Sequence, residues 1–260
     1  MQEKLLISAL QLDSTLGVPQ ANLEYLDLAI KKVPKGTDVV VLPELFSTGY
    51  ISDLEQARKL AEPIDGPTMA HVKKLARRNS CAICGTFLAK DGDKLCNRAF
   101  FVEPNGDVVF YDKRHLFSLS DEASIVSPGL KLAPVVRFRG WNFSMAVCYD
   151  VRFPAWVRNQ GMKYDVLLVP ANWPQKRSYA WTHLLQARAI ENQAYIVGAN
   201  RSGSDEFGVY DNETYIYDYM GKPIAETSGV CISAELNRTA VEKFRAGFPA
   251  WKDADQIELK

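Results

Sequence analysis

Histidine is nearly absent from this chain of 260 residues, which holds only His71, His115 and His183. An excess of either charge is absent too, because 31 Lys plus Arg balance 31 Asp plus Glu. That balance argues against nucleic acid or an anionic membrane as partner, both of which favour a basic surface. The local run "KKLARR" (73–78) reads as a solvated helix face. No apolar run approaches the ~18 residues of a membrane span. The start, "MQEKLLISALQLDS", sets Glu3 beside Lys4 and lacks both the apolar length and the cleavage site of a signal peptide. Without a G-x-G-x-x-G or Walker-type glycine loop, no nucleotide site is expected. The five cysteines (81, 84, 96, 148 and 231) are odd in number and fit reduced thiols better than a disulfide framework. In "CAIC" the two thiols, three apart on an extended run, face opposite ways, and no second C-x-x-C completes a zinc site. These absences predict a soluble, cytoplasmic protein. No low-complexity linker divides it, so one domain over 1–260 is expected.

What is present alternates. "LLISALQL" (5–12) reads as a strand, "PQANLEYLDLAIKKV" (19–33) as a helix with Leu23, Leu26, Ile30 and Val33 on one face, and "DVVVLPEL" (38–45) as a doubly covered strand. A helix over 67–79 precedes "CAICGTFL" (81–88). Pro104-Asn105-Gly106 joins "NRAFFVE" to "DVVFYD" as a hairpin. Strands near 133–138, 143–148, 164–169, 194–200, 213–219 and 230–235 follow, with a helix over 178–192 between two of them. "DVVVLPE" (38–44) is echoed by "DVLLVPAN" (165–172), each an apolar run entering Pro and then a polar residue. The echo implies two similar halves, hence two sheets packed together with helices outside.

Three reactive side chains lie just past strand ends: Glu44 after "VVVLP", Lys113 after "VVFYD" and Cys148 after "FSMAV". Loops at strand ends converge while the sheet holds them, which is where sites in α/β proteins gather. "MAVCYDVRFP" (145–154) stops an apolar run on Cys148 and surrounds it with polar, turn-forming residues, a placement suited to a nucleophile. A cysteine nucleophile usually borrows a histidine base. Here His71 and His183 fall in helices and His115 adjoins Lys113. A carboxylate base with a nearby ammonium is therefore the alternative: lysine would favour the thiolate and a developing oxyanion, and glutamate would shuttle the proton.

"VVVLPELFSTGY", "YDKRHLF", "MAVCYDVRFP" and "HLLQARAIENQAYIVGANR", in that order, resemble the nitrilase, or carbon–nitrogen hydrolase, superfamily over essentially the whole chain. "KRHLF", "ANWP" and "FRAGFPAWKDAD" are similar to its omega-amidase branch, which hydrolyses the terminal amide of 2-oxo acids such as 2-oxoglutaramate. The resemblance implies an α/β fold built as a four-layer α-β-β-α sandwich, two mixed sheets with helices outside, dimerised through a helical layer. It implies Cys148 as nucleophile, Glu44 as general base and then acid, and Lys113 as cationic oxyanion stabiliser, with no metal or organic cofactor. Glu122 in "SLSDEASIVSPG" takes the place of a second glutamate, although related bacterial sequences often carry an aromatic where this chain has "ASIV". The backbone N–H of Tyr149 is the second oxyanion donor. Tyr149 and Trp173 wall the pocket, Arg152 or Arg177 meets the substrate carboxylate, and Arg188 and Glu191 brace the site. A nitrile or N-carbamoyl hydrolase would use the same triad. A non-catalytic binding protein with a redox-sensitive Cys148 is the contrasting class.

Overall fold

The computed structural model describes residues 2–211 and 213–259. The apolar runs pair into two mixed sheets. One runs Glu226–Ser228, Cys231–Asn237, Lys4–Leu10, Val39–Val41, Ala82–Asp91, Lys94–Val102, Val108–Asp112 in spatial order. The other runs Tyr215–Tyr217, Tyr195–Asn200, Val166–Ala171, Trp141–Met145, Val136–Phe138. At the heart of each lie three parallel strands in chain order: Lys4–Leu10, Val39–Val41 and Ala82–Asp91 in the first, Trp141–Met145, Val166–Ala171 and Tyr195–Asn200 in the second. Each trio is then extended by an antiparallel strand, Lys94–Val102 or Tyr215–Tyr217. The echoed stretches 38–44 and 165–172 thus supply the middle strand of each trio.

Side-chain alternation along these strands builds separate cores. Leu5, Ile7, Ala9, Val39, Val41 and Phe101 point from the first sheet into a core shared with Phe143, Met145, Val166 and Leu168 of the second. Phe101 meets Phe143 across the gap with ring centroids 5.3 Å apart. The opposite face of the first sheet sets Leu10, Val40, Leu42, Ile83 and Phe100 against Leu23, Leu26, Val72 and Leu75 of helices Pro19–Ala29 and Pro67–Asn79. Both helices begin on proline, whose missing N–H is harmless at a first helical position. Helix Ser178–Asn192 covers the second sheet. It comes so close that a Cβ on Gly198 would lie 2.4 Å from Leu185 Cδ1. The result is a four-layer α-β-β-α sandwich. Cys81 packs in the core under the helices and Cys84 in the core between the sheets, so "CAIC" straddles one sheet.

Several boundaries differ from the sequence expectation. Of 38–45 only Val39–Val41 pairs as strand, because Pro43 has no N–H to donate and Leu45 turns into the left-handed region (φ 46°) with its N–H on Thr86 Oγ1 at 2.7 Å. The strand expected over 143–148 is Trp141–Met145, and Cys148 opens a 3₁₀ turn, Cys148–Arg152, after Ala146 and Val147. Helices Leu54–Leu60 and Arg238–Gly247 and the hairpin Gly203–Asp205/Gly208–Tyr210 were not foreseen. Among the described residues no helix is long and apolar enough to cross a membrane.

Candidate active site

The turns that leave these strands converge on one cleft. Glu44 follows the middle strand of the first sheet and is 2% exposed. Lys113 follows edge strand Val108–Asp112; its N–H donates to Asn97 O at 3.0 Å, and Arg98 clamps the preceding Asp112 at 2.7 Å. Cys148 leaves the first parallel strand of the second sheet. All three line a cavity of about 50 Å³ together with Tyr50, Phe117, Glu122, Tyr149, Arg152, Asn172, Trp173 and Arg177.

At its base, Lys113 Nζ donates to Glu44 Oε1 at 2.9 Å and to Glu122 Oε1 and Oε2 at 2.7 and 3.0 Å. Asn97 Nδ2 also donates to Glu44 Oε1, at 2.8 Å, and the Asn172 N–H donates to Glu44 Oε2 at 2.9 Å. Glu122 takes a further bond from the Phe117 N–H at 2.7 Å. Burial by itself opposes charge on Lys113, but Glu122 and Glu44 outweigh it and hold the ammonium well above the ordinary lysine range. For Cys148 the balance runs the other way. Burial and the facing Glu44 carboxylate push its thiol well above the usual cysteine range, with Lys113 opposing. The resting sulfur is therefore a protonated thiol, and lysine alone does not yield the thiolate that its charge would favour.

The turn carrying the sulfur is held under strain. Cys148 has φ 44°, a conformation that costs a non-glycine residue on the order of 1–3 kcal/mol. Asp150, fully buried, fixes it: its carboxylate accepts from the Val147 N–H at 3.0 Å, the His115 N–H at 2.8 Å and Tyr111 Oη at 2.8 Å. One carboxylate thus ties the cysteine turn to the Lys113 turn. From behind, Arg188 Nε donates to Val151 O at 2.8 Å and Nη1 to Glu191 at 2.9 Å, which puts that pair in the bracing position. His115 turns Nδ1 to Asp150 and stacks on Phe153, away from the sulfur, while His71 lies against Asp27 and His183 against Tyr179 O.

Nearer the rim, Arg152 stacks 4.9 Å over Trp173 and 5.9 Å from Tyr149, and Arg177 lies 4.8 Å over Phe117. Neither guanidinium has a carboxylate partner among the described residues. The structure brings both arginines to the cavity. Sequence reasoning missed Asn97, Tyr50 and Phe117, and quoted Asn172 without assigning it. A lone asparagine inside the apolar run "KLCNRAFFV" was the available signal for Asn97, since a buried polar group implies a partner.

A sandwich with a buried thiol, an ammonium and two carboxylates at one cleft has the parts of a covalent hydrolase. Residues 6–245 match the family model described as Carbon-nitrogen hydrolase, and the chain belongs to that family. Within it the chain is an omega-amidase-like enzyme. It is 40% identical over 243 residues to Omega-amidase YafV of Escherichia coli (strain K12), covering 92% of each chain. It is also 33% identical over 253 residues to 2-oxoglutaramate amidase of Bacillus subtilis (strain 168), covering 95% of this chain and 96% of that one. XC1258 from Xanthomonas campestris, a CN-hydrolase superfamily protein solved with an arsenic adduct in its active site, superposes with TM-score 0.94 at 33% identity over 100% of both chains.

Proposed function

We propose that the chain hydrolyses the terminal amide of small 2-oxo dicarboxylic acid monoamides of the 2-oxoglutaramate type, releasing ammonia through a cysteine thioester. The observation that carries this reading is the polarity of the cleft: one carboxylate–ammonium–thiol cluster at the base and, nearer the rim, two guanidiniums without carboxylate partners among the described residues. The amide end of a slim, linear acid would enter the narrow base, and its carboxylate would stay beside Arg152 or Arg177. The names of the relatives point the same way.

In the mechanism, Cys148 Sγ attacks the amide carbon as Glu44 takes its proton, because the thiol does not ionise in advance. The oxyanion rests on Lys113 and the Tyr149 N–H; one such donor is commonly worth ~2.7–4 kcal/mol. Glu44 returns the proton to the departing nitrogen, and ammonia leaves a thioester. Water, held by Glu122 and deprotonated by Glu44, then releases the acid and restores the thiol. The raised affinity of Lys113 for its proton keeps its charge constant through both halves.

A homodimer acting in the cytoplasm belongs to the same reading. Tyr179 and Ile190, 77% and 53% exposed on helix Ser178–Asn192, support a second copy on that layer, and five free cysteines suit a reducing compartment.

Ammonia release from 2-oxoglutaramate, with glutamine and a simple nitrile alongside, tests the function. Rapid release from the first, little from the others, and none from Cys148→Ala is the expected pattern. A folded protein inert towards 2-oxoglutaramate would overturn it.

A further inference from the structure

We infer that the side-chain amide of Asn172 is a specificity determinant, donating a hydrogen bond to the 2-oxo oxygen of the substrate; this rests on the amidase reading above. Asn172 lies in "PANWP", between Pro170 and Pro174, where the chain leaves the middle strand of the second sheet. The backbone there is tied down. The Asn172 N–H donates to Glu44 at 2.9 Å, and its carbonyl faces Cys148 Sγ at 4.0 Å. Next door, the Trp173 N–H donates to Asn200 Oδ1 at 2.8 Å, Asn200 Nδ2 donates back to Trp173 O at 2.9 Å, and Trp173 Nε1 donates to Arg177 O at 2.8 Å.

Against that background one group stands out. Asn172 Nδ2 is buried and has no hydrogen-bond partner among the described residues, although the side chain lines the cavity. A buried amide donor left unpaired is unfavourable, and an acceptor brought in by a ligand relieves it. Position selects which acceptor. The backbone of Asn172 touches Glu44 and Cys148, where the amide group reacts, and its neighbour Trp173 reaches Arg177 and Arg152, where the carboxylate stays. Between those two ends, 2-oxoglutaramate carries a single polar atom, the oxygen on C2.

The same geometry discriminates. The 2-amino analogue, glutamine, would present an ammonium there, a set of donors facing a donor and a cation facing two guanidiniums. A site built to pair with one polar group rejects ligands that lack it far more strongly than a merely apolar pocket could.

The test compares kcat/KM for 2-oxoglutaramate and for glutaramate, which has a methylene at C2. It is run with wild type, with Asn172→Asp (the same size, an acceptor in place of the donor) and with Asn172→Ala. The ratio of the two values should fall by about tenfold or more in both variants, the worth of one hydrogen bond. An unchanged ratio, with both substrates losing equally, would assign Asn172 a structural role and overturn the inference while leaving the amidase reading standing. If the variants do not fold, wild type decides: a preference for 2-oxoglutaramate and for 2-hydroxyglutaramate over glutaramate of about tenfold is expected, and equal values overturn it. Ammonia release from glutaramate but none from 2-oxoglutaramate would sink the substrate reading itself, and this inference with it.

Discussion

Residues 38–44 and 165–172 make the same local structure and carry opposite burdens. Each supplies the middle parallel strand of its trio, carries a proline (Pro43 just past the strand, Pro170 within it), and delivers a polar side chain to the cleft, where they touch: the Glu44 N–H reaches Ala171 O at 3.4 Å and the Asn172 N–H reaches Glu44 Oε2 at 2.9 Å. Glu44 takes donors from Lys113, Asn97 and Asn172, whereas the Asn172 side chain has a donor with no partner among the described residues. Glu44, Lys113 and Glu122, all carried by the half that builds the first sheet, hold the protons and the charge. The half that builds the second sheet supplies the sulfur and the wall of Asn172, Trp173 and Arg177. Similar scaffolds can thus divide a reaction, one organising the charge and the other presenting the nucleophile and reading the substrate.

The division breaks most completely at the sulfur, where Cys148→Ala should abolish ammonia release with the unfolding transition near its wild-type midpoint. Glu44→Gln is expected to slow turnover by ~10²–10⁴-fold, the usual worth of a general acid–base group. It should also act on the thiol directly: with the facing carboxylate gone, Lys113 dominates and Cys148 ionises at lower pH. Iodoacetamide alkylation against pH would then shift its midpoint downward in the variant. An unmoved midpoint would contradict the charge division.

Lys113→Met should cost ~10²–10³-fold in kcat as one oxyanion donor, and about 3–5 kcal/mol of stability because two carboxylates lose their shared cation. The pH dependence has a definite sign. The folded pKa of Lys113 stands above the unfolded value, so its stabilising contribution is complete below about pH 10.4 and is lost as pH climbs toward the folded value. Urea melts between neutral and strongly alkaline pH should fall more steeply for wild type than for Lys113→Met, and parallel slopes would refute the point. At the small end, Arg177→Ala or Arg152→Ala should raise KM for an acidic amide by about tenfold, as expected for one charged contact, and leave a neutral amide nearly unchanged. Steady-state kinetics on the pair would show which guanidinium meets the carboxylate.

The two halves were legible to different degrees. Hydrophobic runs placed the strands, and the residues just past three of them, Glu44 and Cys148 after parallel strands and Lys113 after an antiparallel edge strand, stood out because reactive groups interrupt apolar runs there. Boundaries failed where the competing influence was local: Pro43 cut a strand short, and Asp150 bent the chain into a 3₁₀ turn before Cys148 could end one. Helix Arg238–Gly247 went unread although Asn237 caps it, its side chain accepting from the Ala240 N–H. Asn97 and Tyr50 reach the cleft through pairings far apart in sequence, Asn97 with Glu44 and Tyr50 with Ser120, and no spacing rule reveals those. Arg152 and Arg177 were visible as cations, but their lack of carboxylate partners among the described residues is a property of the folded state alone.

The cluster of two carboxylates on one ammonium also bears on the direction of turnover. An amide enters the base of the cleft uncharged at its reacting end and leaves as a carboxylate, so hydrolysis creates a third negative group at the base beside Glu44 and Glu122, whose shared cation Lys113 is already paired with both. The site therefore welcomes what it consumes and repels what it makes. Product inhibition should be weak, and the back reaction with ammonia should find no foothold even when the acid accumulates.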